Sequence, residues 1–367
     1  MSSSWVHTAF PQQVRFGAGL VERLRPLLKE TGSRKVLVIG SGRGLSSPAG
    51  QKLVAGLGRG VGIVSFDGAE PGVPASVVQA ATRMAMGETV DTLISFGGGS
   101  TIDLGKAVSF FLEQQAGTPG TTFADRPSVV HVAVPTTFTG AEGSVHFAMT
   151  DPSSRIAQVA GSPTLAPRWV VYDPGCLADL PVLTVARSGF TALAHAADAA
   201  LAVARSPEGE ALALAAFGRV YGSLAAAVEG DEDARASLLE GAALAARAWQ
   251  QAAPGLTHGL ALLLVGRAGV PYAHAMALLA PSVVRFNAEA LGPRLEQLAR
   301  AVGSADLPAT LADLAAEVGV RSGLSDLGVT EEDAAAVARM AQANPFCQAN
   351  VRPASEEEVA ELLYRVW

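Results

Sequence analysis

The residues best suited to chemistry in this chain begin with three consecutive glycines. The segment Phe96-Gly97-Gly98-Gly99-Ser100-Thr101-Ile102-Asp103 follows a β-rich run and precedes a helical one. A pyrophosphate needs that arrangement. Glycines let the backbone approach phosphate oxygens, and the N–H groups of the first helical turn meet them with the positive end of the helix dipole. Asp103 is expected in that first turn, where a carboxylate interacts favourably with a helix N-terminus. Lys106, the last lysine in the chain, lies one turn further on. A plain strand-to-helix turn without a ligand would use the same glycines. A second segment, Val134-Pro135-Thr136-Thr137-Phe138-Thr139-Gly140-Ala141-Glu142, also follows a β-rich run. Its hydroxyls at Thr136, Thr137 and Thr139 suit phosphate and ribose contacts. Gly40-Ser41-Gly42-Arg43-Gly44 does not match GxGxxG, but it ends an apolar strand and can bring Ser41 near an adenosine ribose.

These loops need a sheet to hold them. Lys35–Gly40 reads as a buried strand that ends in a glycine turn, and Val61–Phe66 as another. Residues 75–88 place Val77, Val78, Ala81, Met84 and Ala85 on one side of a helix. Thr92–Phe96, His131–Val134 and Trp169–Tyr172 read as further strands. Strand and helix alternation of this kind implies a mostly parallel, doubly wound sheet. From about Pro181 onward the apolar spacing is helical and β-rich runs are nearly absent. The expected division is therefore an α/β domain over residues 1–178 and an all-α domain over 179–367, with the boundary among the prolines of residues 173–181.

Composition narrows the function classes. The chain has 367 residues, about half of them apolar and 17% charged, enough for more than one core. A net charge of −7 argues against nucleic acid or an acidic membrane surface as partner. Residues 1–10 lack a basic start and a long apolar run, so no signal peptide is expected. The most apolar run, Gly259–Gly266, is too short to cross a bilayer, and Arg267 ends it. The two cysteines, Cys176 and Cys347, form neither a disulfide framework nor a metal-binding pair motif. A cytoplasmic enzyme fits these features.

The GGGSTIDLGKA segment, the VPTTFTGAE segment and the helix Ser188-Gly189-Phe190-Thr191-Ala192-Leu193-Ala194-His195-Ala196 together resemble the iron-containing alcohol dehydrogenase superfamily. Within it the chain looks most like maleylacetate reductases, through Ala343-Asn344-Pro345 and Arg352-Pro353 near its end. Gln13–Gly19 resembles the family's opening strand. The resemblance implies a dehydroquinate synthase-like fold, with a Rossmann-like dinucleotide-binding domain and an all-α catalytic domain. It also implies homodimers and hydride transfer to or from NAD or NADP. The cofactor contacts would be Gly97, Gly98, Gly99, Ser100, Asp103, Thr136, Thr137 and Thr139, with Ser41. Relatives often select NAD with an Asp after the first strand; here Ser41 and Gly42 stand there, with Arg43 beside them. Nothing in that stretch repels a 2′-phosphate. A lysine that relatives often carry near position 157 is absent, with Arg155 as a loose substitute.

The metal-dependent relatives hold their ion with an Asp and a His four residues apart on one helix, plus two later histidines. Residues at i and i+4 share a helix face, and carboxylate and imidazole suit a divalent ion. In this sequence the matching positions are Thr191, His195, His258 and Tyr272, while Leu262 replaces a further active-site His. Two of the four ligand positions have thus changed, and no metal is expected. Hydride transfer to a carbonyl still needs a proton donor near the developing oxyanion. By resemblance, the candidates are His258, Tyr272 in place of the lost His, and His195 and Thr191 as orienting groups. His274 should point elsewhere on its helix, and Asp198 is expected to be a structural partner. Arg267 and Arg352 are the candidate anchors for substrate carboxylates.

The leading reading is a metal-independent NAD(P)-dependent reductase or dehydrogenase that acts on a carbonyl or hydroxyl of a small acid. An alternative is a biosynthetic dehydrogenase that oxidises a hydroxyl on a larger or peptide-like substrate, with decarboxylation of a resulting β-keto acid. The apolar replacement at Leu262 motivates it. A third reading is a pseudoenzyme scaffold, which the intact glycine and threonine loops oppose.

Overall fold

The computed structural model describes residue 5 and residues 10–117, 127–151, 153–252, 254–320 and 322–367. The N-terminal stretch read above for a signal peptide lies, apart from Trp5 and Phe10, outside them. The chain divides into two compact units. One comprises Ala9–Asp151 and Gln158–Leu180; the other takes Pro181–Trp367 together with Pro152–Ala157. A division at residue 178 would leave that last short stretch with the sheet, whereas it packs with the helices.

Among the described residues of the first unit, β1 (Gln13–Phe16), β2 (Lys35–Ile39), β3 (Gly62–Phe66), β4 (Thr92–Gly97), β5 (Val130–Pro135) and β8 (Trp169–Tyr172) form one sheet. Its order is β1-β8-β5-β4-β2-β3, and every pair is parallel. Central parallel strands are covered on both faces, which is why β2 and β4 read as unbroken apolar runs. Alternation sends Val36 and Val38 to one face with Leu27 and Leu28 of α1 (Arg25–Glu30). Leu37 and Ile39 go to the other, against α4 (Ala75–Gly87) and α5 (Gly99–Gln115). α2 (Gly42–Ser46) and α3 (Pro48–Gly56) follow β2, and Leu53 of α3 joins the first face.

The chain steps from β2 outward to β3, then returns to place β4 and β5 on the opposite side of β2. The strand order therefore reverses between β2 and β4, and the loops leaving their C-terminal ends diverge there. In doubly wound sheets this switch point is where ligands bind.

Two features depart from the sequence reading. β3 is an edge strand with Ile63 37% exposed, so Val61–Phe66 is not a buried run. A separate two-stranded sheet, β6 (His146–Asp151) with β7 (Ile156–Gly161), was not expected at all. Its sequences, HFAMTD and IAQVAG, mix polar and apolar residues too weakly for a strand signature.

In the second unit α6 (Val182–Leu201), α7 (Pro207–Glu229) and α8 (Glu232–Trp249) pack on one another, and α9 (Leu256–Ala268) and α10 (Tyr272–Leu291) pack together, with α10 also against α6. Alanine-rich faces permit the close approach. α11 (Pro293–Ala301), α12 (Leu307–Glu317), α13 (Glu331–Ala341), α14 (Pro345–Gln348) and α15 (Glu356–Tyr364) complete the unit. α7 is long and apolar enough by length and composition to cross a membrane. It nevertheless carries Arg219 in its middle, ion-paired at 2.6 Å with Glu240 of α8, and packs as a core helix of this unit.

Candidate active site

The glycine turn lies at the sheet's switch point. Gly98 is the N-cap of α5, and no side chain caps the helix. The first-turn N–H groups, which have no intrahelical acceptor, are left for a ligand at the end of a 17-residue helix. The threonine loop sits directly on this turn. Thr136 N–H donates to the Gly97 carbonyl at 2.9 Å. A Cβ on Gly98 would lie 2.9 Å from Thr137 Cγ2, and one on Gly99 would lie 2.9 Å from Thr139 Oγ1. The Thr137 and Thr139 hydroxyls are 3.3 Å apart. The glycines thus let a phosphate approach and also let the second loop close upon the first. Ser100 Oγ accepts from Gly72 N–H at 3.3 Å, tying in the segment after β3. Ser41 N-caps α2 by accepting from Gly44 N–H at 3.1 Å, beside the same switch point. An uncapped helix end, close-packed glycines and three neighbouring hydroxyls fit a dinucleotide pyrophosphate.

Asp103 is a correction. α5 begins at Gly99, so Asp103 lies in the second turn, and the first turn carries no acidic residue. Its carboxylate is spent on Lys106 Nζ at 2.7 Å and on Ala148 N–H at 3.3 Å. Lys106 is fully buried and also donates to the carbonyls of Ala141, at 3.0 Å, and of His146. A charge without exposure is tolerable only with such partners. This pair clamps the end of the threonine loop onto α5. Glu142 is buried beside it and accepts from the Tyr172 hydroxyl at 2.8 Å. Burial pushes the Glu142 carboxyl above the usual carboxylate range, against the Tyr172 bond and the Lys106 charge. Sequence reasoning singled out Lys106 only for its place one turn into the helix, and named Glu142 only as part of a segment. A sole lysine inside an apolar helix was the available signal.

In the helical unit the structure brings together three of the four residues that the resemblance sets at metal-ligand positions. Tyr272 is the first residue of α10, after Pro271, which fixes the entry into the helix. Its hydroxyl lies 2.9 Å from His195 Nε2 and 2.7 Å from His258 Nδ1. Aromatic rings brace the trio. Trp249, at the end of α8, stacks on His195 with centroids 4.8 Å apart and meets His258 at 5.0 Å. Phe346 of α14 meets His258 edge-on at 4.8 Å. The Trp249 indole N–H is buried without an acceptor. Neither aromatic was foreseen, because their positions are distant in sequence and apolar. Thr191 does not join: its hydroxyl donates to the Arg187 carbonyl at 2.9 Å. Asp198 accepts from Thr257 at 3.2 Å, and burial pushes its carboxyl up to about 7. Leu262 is almost buried, at 9% exposure.

The donor atoms that meet here are two imidazole nitrogens and the phenol oxygen between them, while the Thr191 hydroxyl is held by its own helix.

The carboxylate anchors suggested by sequence are occupied. Arg267 pairs with Asp333 at 2.8 Å and Glu332 at 3.3 Å. Arg352 pairs with Glu358 at 3.0 Å and lies over the Phe286 ring at 3.5 Å. Arg155 also pairs with Asp333, at 3.1 Å, and donates to the Arg267 carbonyl. His274 lies two residues after Tyr272 on α10 and is buried at 1% exposure.

Sequence profiles settle the relationship. The iron-containing alcohol dehydrogenase profile matches residues 11–174, and the C-terminal profile of the Fe-containing alcohol dehydrogenase family matches residues 185–367. The chain belongs to the iron-containing alcohol dehydrogenase family. It is an oxidoreductase of the NAD(P)-dependent alcohol dehydrogenase and reductase type. A maleylacetate reductase from Sphingobium indicum is 32% identical over 98% of this chain and 97% of its own. A lactaldehyde reductase from Escherichia coli K12 is 28% identical over 96% and 97%. The crystal structure of a maleylacetate reductase from Agrobacterium tumefaciens covers 100% of this chain and 99% of its own at a TM-score of 0.85 and 28% identity. The two-domain fold, a Rossmann-like sheet domain followed by an all-helical one, is the one these relatives share.

Proposed function

We propose that this family member is a metal-independent reductase of the maleylacetate reductase kind, moving hydride between NADH or NADPH and the carbonyl of a small acid. The observation that carries the reading is the Tyr272 hydroxyl held between two imidazole nitrogens at 2.9 and 2.7 Å. By the family resemblance, Tyr272 would stand at the position of a metal ligand in metal-dependent members.

The nicotinamide, when bound, supplies or accepts the hydride. Gly97, Gly98, Gly99 and Ser100 bind the pyrophosphate through the end of α5, and Thr136, Thr137 and Thr139 steady the phosphates and ribose. Ser41 lies toward the adenosine side, and no acidic group at that position turns away a 2′-phosphate. Tyr272 manages the proton. A phenol hydroxyl both donates and accepts. With one imidazole donating N–H to Oη, the Oη proton is directed to the substrate oxygen as negative charge develops there. The imidazole N–H groups stabilise the phenolate so formed, and the proton consumed in each turnover is replaced from solvent through an imidazole, which gives one proton to Oη as it takes one up at its other nitrogen. His195 and His258 therefore hold the phenol in place and share its charge, while Trp249 and Phe346 keep both rings in register and exclude water. A dimer of this chain is expected from the family.

The test is the oxidation of NADH and NADPH, followed at 340 nm, with maleylacetate as substrate and protein stripped of metal by dialysis against a chelator. Turnover by the stripped protein is expected, and activity that returns only with added iron or zinc would overturn the metal-free reading. Activity confined to larger hydroxy acids would move the substrate assignment instead.

A further inference from the structure

A cavity of about 260 Å³ opens between α10 and α15 of the helical unit. Ser282, Arg285 and Phe286 line it from one face of α10, at i, i+3 and i+4. Glu358, Glu361 and Arg365 line it from α15 and its C-cap, at i, i+3 and i+7, and Arg352 lines it from the segment before that helix. Between Tyr272 and Phe286 α10 rises roughly 20 Å, so the cavity is apart from the tyrosine site. Arg352 is fixed in its wall. Nε donates to the Phe286 carbonyl at 3.2 Å, Nη1 donates to Glu358 Oε1 at 3.0 Å, and the guanidinium lies 3.5 Å over the Phe286 ring. The Arg352 carbonyl accepts from Asn350 at 2.8 Å, and Asn350 exchanges two amide hydrogen bonds with Asn287 of α10, at 2.8 and 3.0 Å. Glu358 Oε2 accepts from Ser355 N–H at 2.9 Å in the capping box of α15. Both Glu358 oxygens are therefore spent, while Arg352 Nη2 has no partner among the described residues.

The other polar groups of the lining are uncommitted. Among the described residues no hydrogen bond or ion pair holds the side chains of Arg365, Glu361 or Ser282. Arg285 reaches Asp306 only at 3.7 Å, beyond hydrogen-bond distance. Three guanidinium groups thus share the cavity with two carboxylates, one of them already spent on Arg352, in a chain whose net charge is −7. Guanidinium N–H groups match phosphate oxygens, and such charge-assisted bonds are the strong ones. A hydroxyl, in turn, can donate to a free carboxylate and accept from another hydroxyl. We infer that this cavity binds a small phosphate monoester that carries hydroxyl groups. The phosphate meets Arg352 Nη2, Arg285 and Arg365, and the ligand's hydroxyls meet Glu361 and Ser282. Inorganic phosphate shares the first half of that chemistry and lacks the second. The volume, below the about 300–1,000 Å³ of drug-sized sites, suits a ligand of this size. The site stands apart from hydride transfer and does not depend on which substrate the chain reduces.

The experiment titrates the full chain, saturated with NADH so that the glycine turn is filled, with glycerol 3-phosphate, inorganic phosphate and glycerol, by calorimetry at low ionic strength. Glycerol 3-phosphate is expected to bind once per chain, inorganic phosphate more weakly, and glycerol not at all. Arg285 and Arg365 are exposed, so R285Q and R365Q should fold. Each should lower the affinity for glycerol 3-phosphate about tenfold, the loss of one charge-assisted bond. E361A should weaken the ester and leave inorganic phosphate no weaker. The R285Q/R365Q double variant also separates this cavity from the glycine turn without any nucleotide, because the glycine turn contains neither arginine. No binding of glycerol 3-phosphate, or an unchanged affinity in the double variant, would overturn the inference. Inorganic phosphate bound as tightly as the ester would overturn the ester assignment.

Discussion

The glycine turn of the sheet unit and the tyrosine site of the helical unit are built in opposite ways. The first is made of backbone: an uncapped helix end and glycines so close to the threonine loop that a Cβ on Gly98 or Gly99 would meet a side chain at 2.9 Å. The second is made of side chains on separate helices, meeting at one hydroxyl. A backbone cradle admits few residue types, because each replacement must fit the packing as well as the ligand. A side-chain site admits exchange, because another polar head on the same helix position can reach the same point. On the resemblance drawn from the sequence, the chain would keep the GGGS pattern and depart from the family at Thr191, Leu262 and Tyr272.

This contrast can be broken most severely at Tyr272. Tyr272→Phe removes the one hydroxyl shared by the two histidines. General acid catalysis is worth about 10²–10⁴-fold, so kcat should drop by about a hundredfold or more while NADH affinity holds. A variant with near-normal kcat would show that the hydroxyl is only structural. The next largest effect is expected in the other region. Lys106→Met takes the ammonium away from the Asp103 carboxylate and from the Ala141 and His146 carbonyls, and breaking a buried pair costs about 3–5 kcal/mol. Denaturant unfolding should show that loss in the sheet unit, and an unchanged midpoint would refute the clamp. Gly98→Val forces Thr137 aside. Overpacking costs about 1–3 kcal/mol, so NADH binding should weaken about tenfold in a fluorescence titration, with the helical unit unaltered.

The smallest effects concern pH, and here the two units should differ in sign. His131, buried against Ser95 at 2.9 Å, is pushed down to about 3 from 6.5 by burial and then by the Lys106 charge. Its native state prefers the neutral ring. The stability it contributes is full above pH 6.5 and is lost as pH falls toward about 3. Asp198 is pushed up to about 7 from 3.8 by burial. Its native state prefers the proton, so its contribution is full below pH 3.8 and is lost as pH rises through about 7. Asp198→Asn should therefore raise the melting temperature at pH 8 by about 2–4 °C, the shift expected for roughly 1 kcal/mol, and leave it nearly unchanged at pH 4. The same gain at both pH values would refute the burial account.

Much of the fold was legible because its strands are buried on both faces and its turns need glycine. Lys35–Ile39 and Thr92–Gly97 carry long apolar runs into glycine turns, and the Ala- and Leu-rich half has clear helical spacing. β6 and β7 were not legible, since they are short, half-polar and supported by contacts remote in sequence. Site residues divided along the same line. The backbone positions at Gly97–Ser100 could be read from type and order. Asp103 was misplaced because the start of α5 depends on where the chain turns. The pairings of Arg267 and Arg352 depend on Asp333 and Glu358, whose proximity no spacing reveals. Phe346 follows the quoted Asn344-Pro345 pair, so its place was visible while its contact with His258 was not.

Lys106 has a practical consequence. It is the last lysine in the sequence and fully buried, while Lys29, Lys35 and Lys52 all lie earlier in the sheet unit. Residues 181–367 contain no lysine. A lysine-specific protease therefore acts on the native protein only through its sheet unit, and residues 181–367, with the tyrosine site, offer it no cut and offer a lysine-directed dye no side chain.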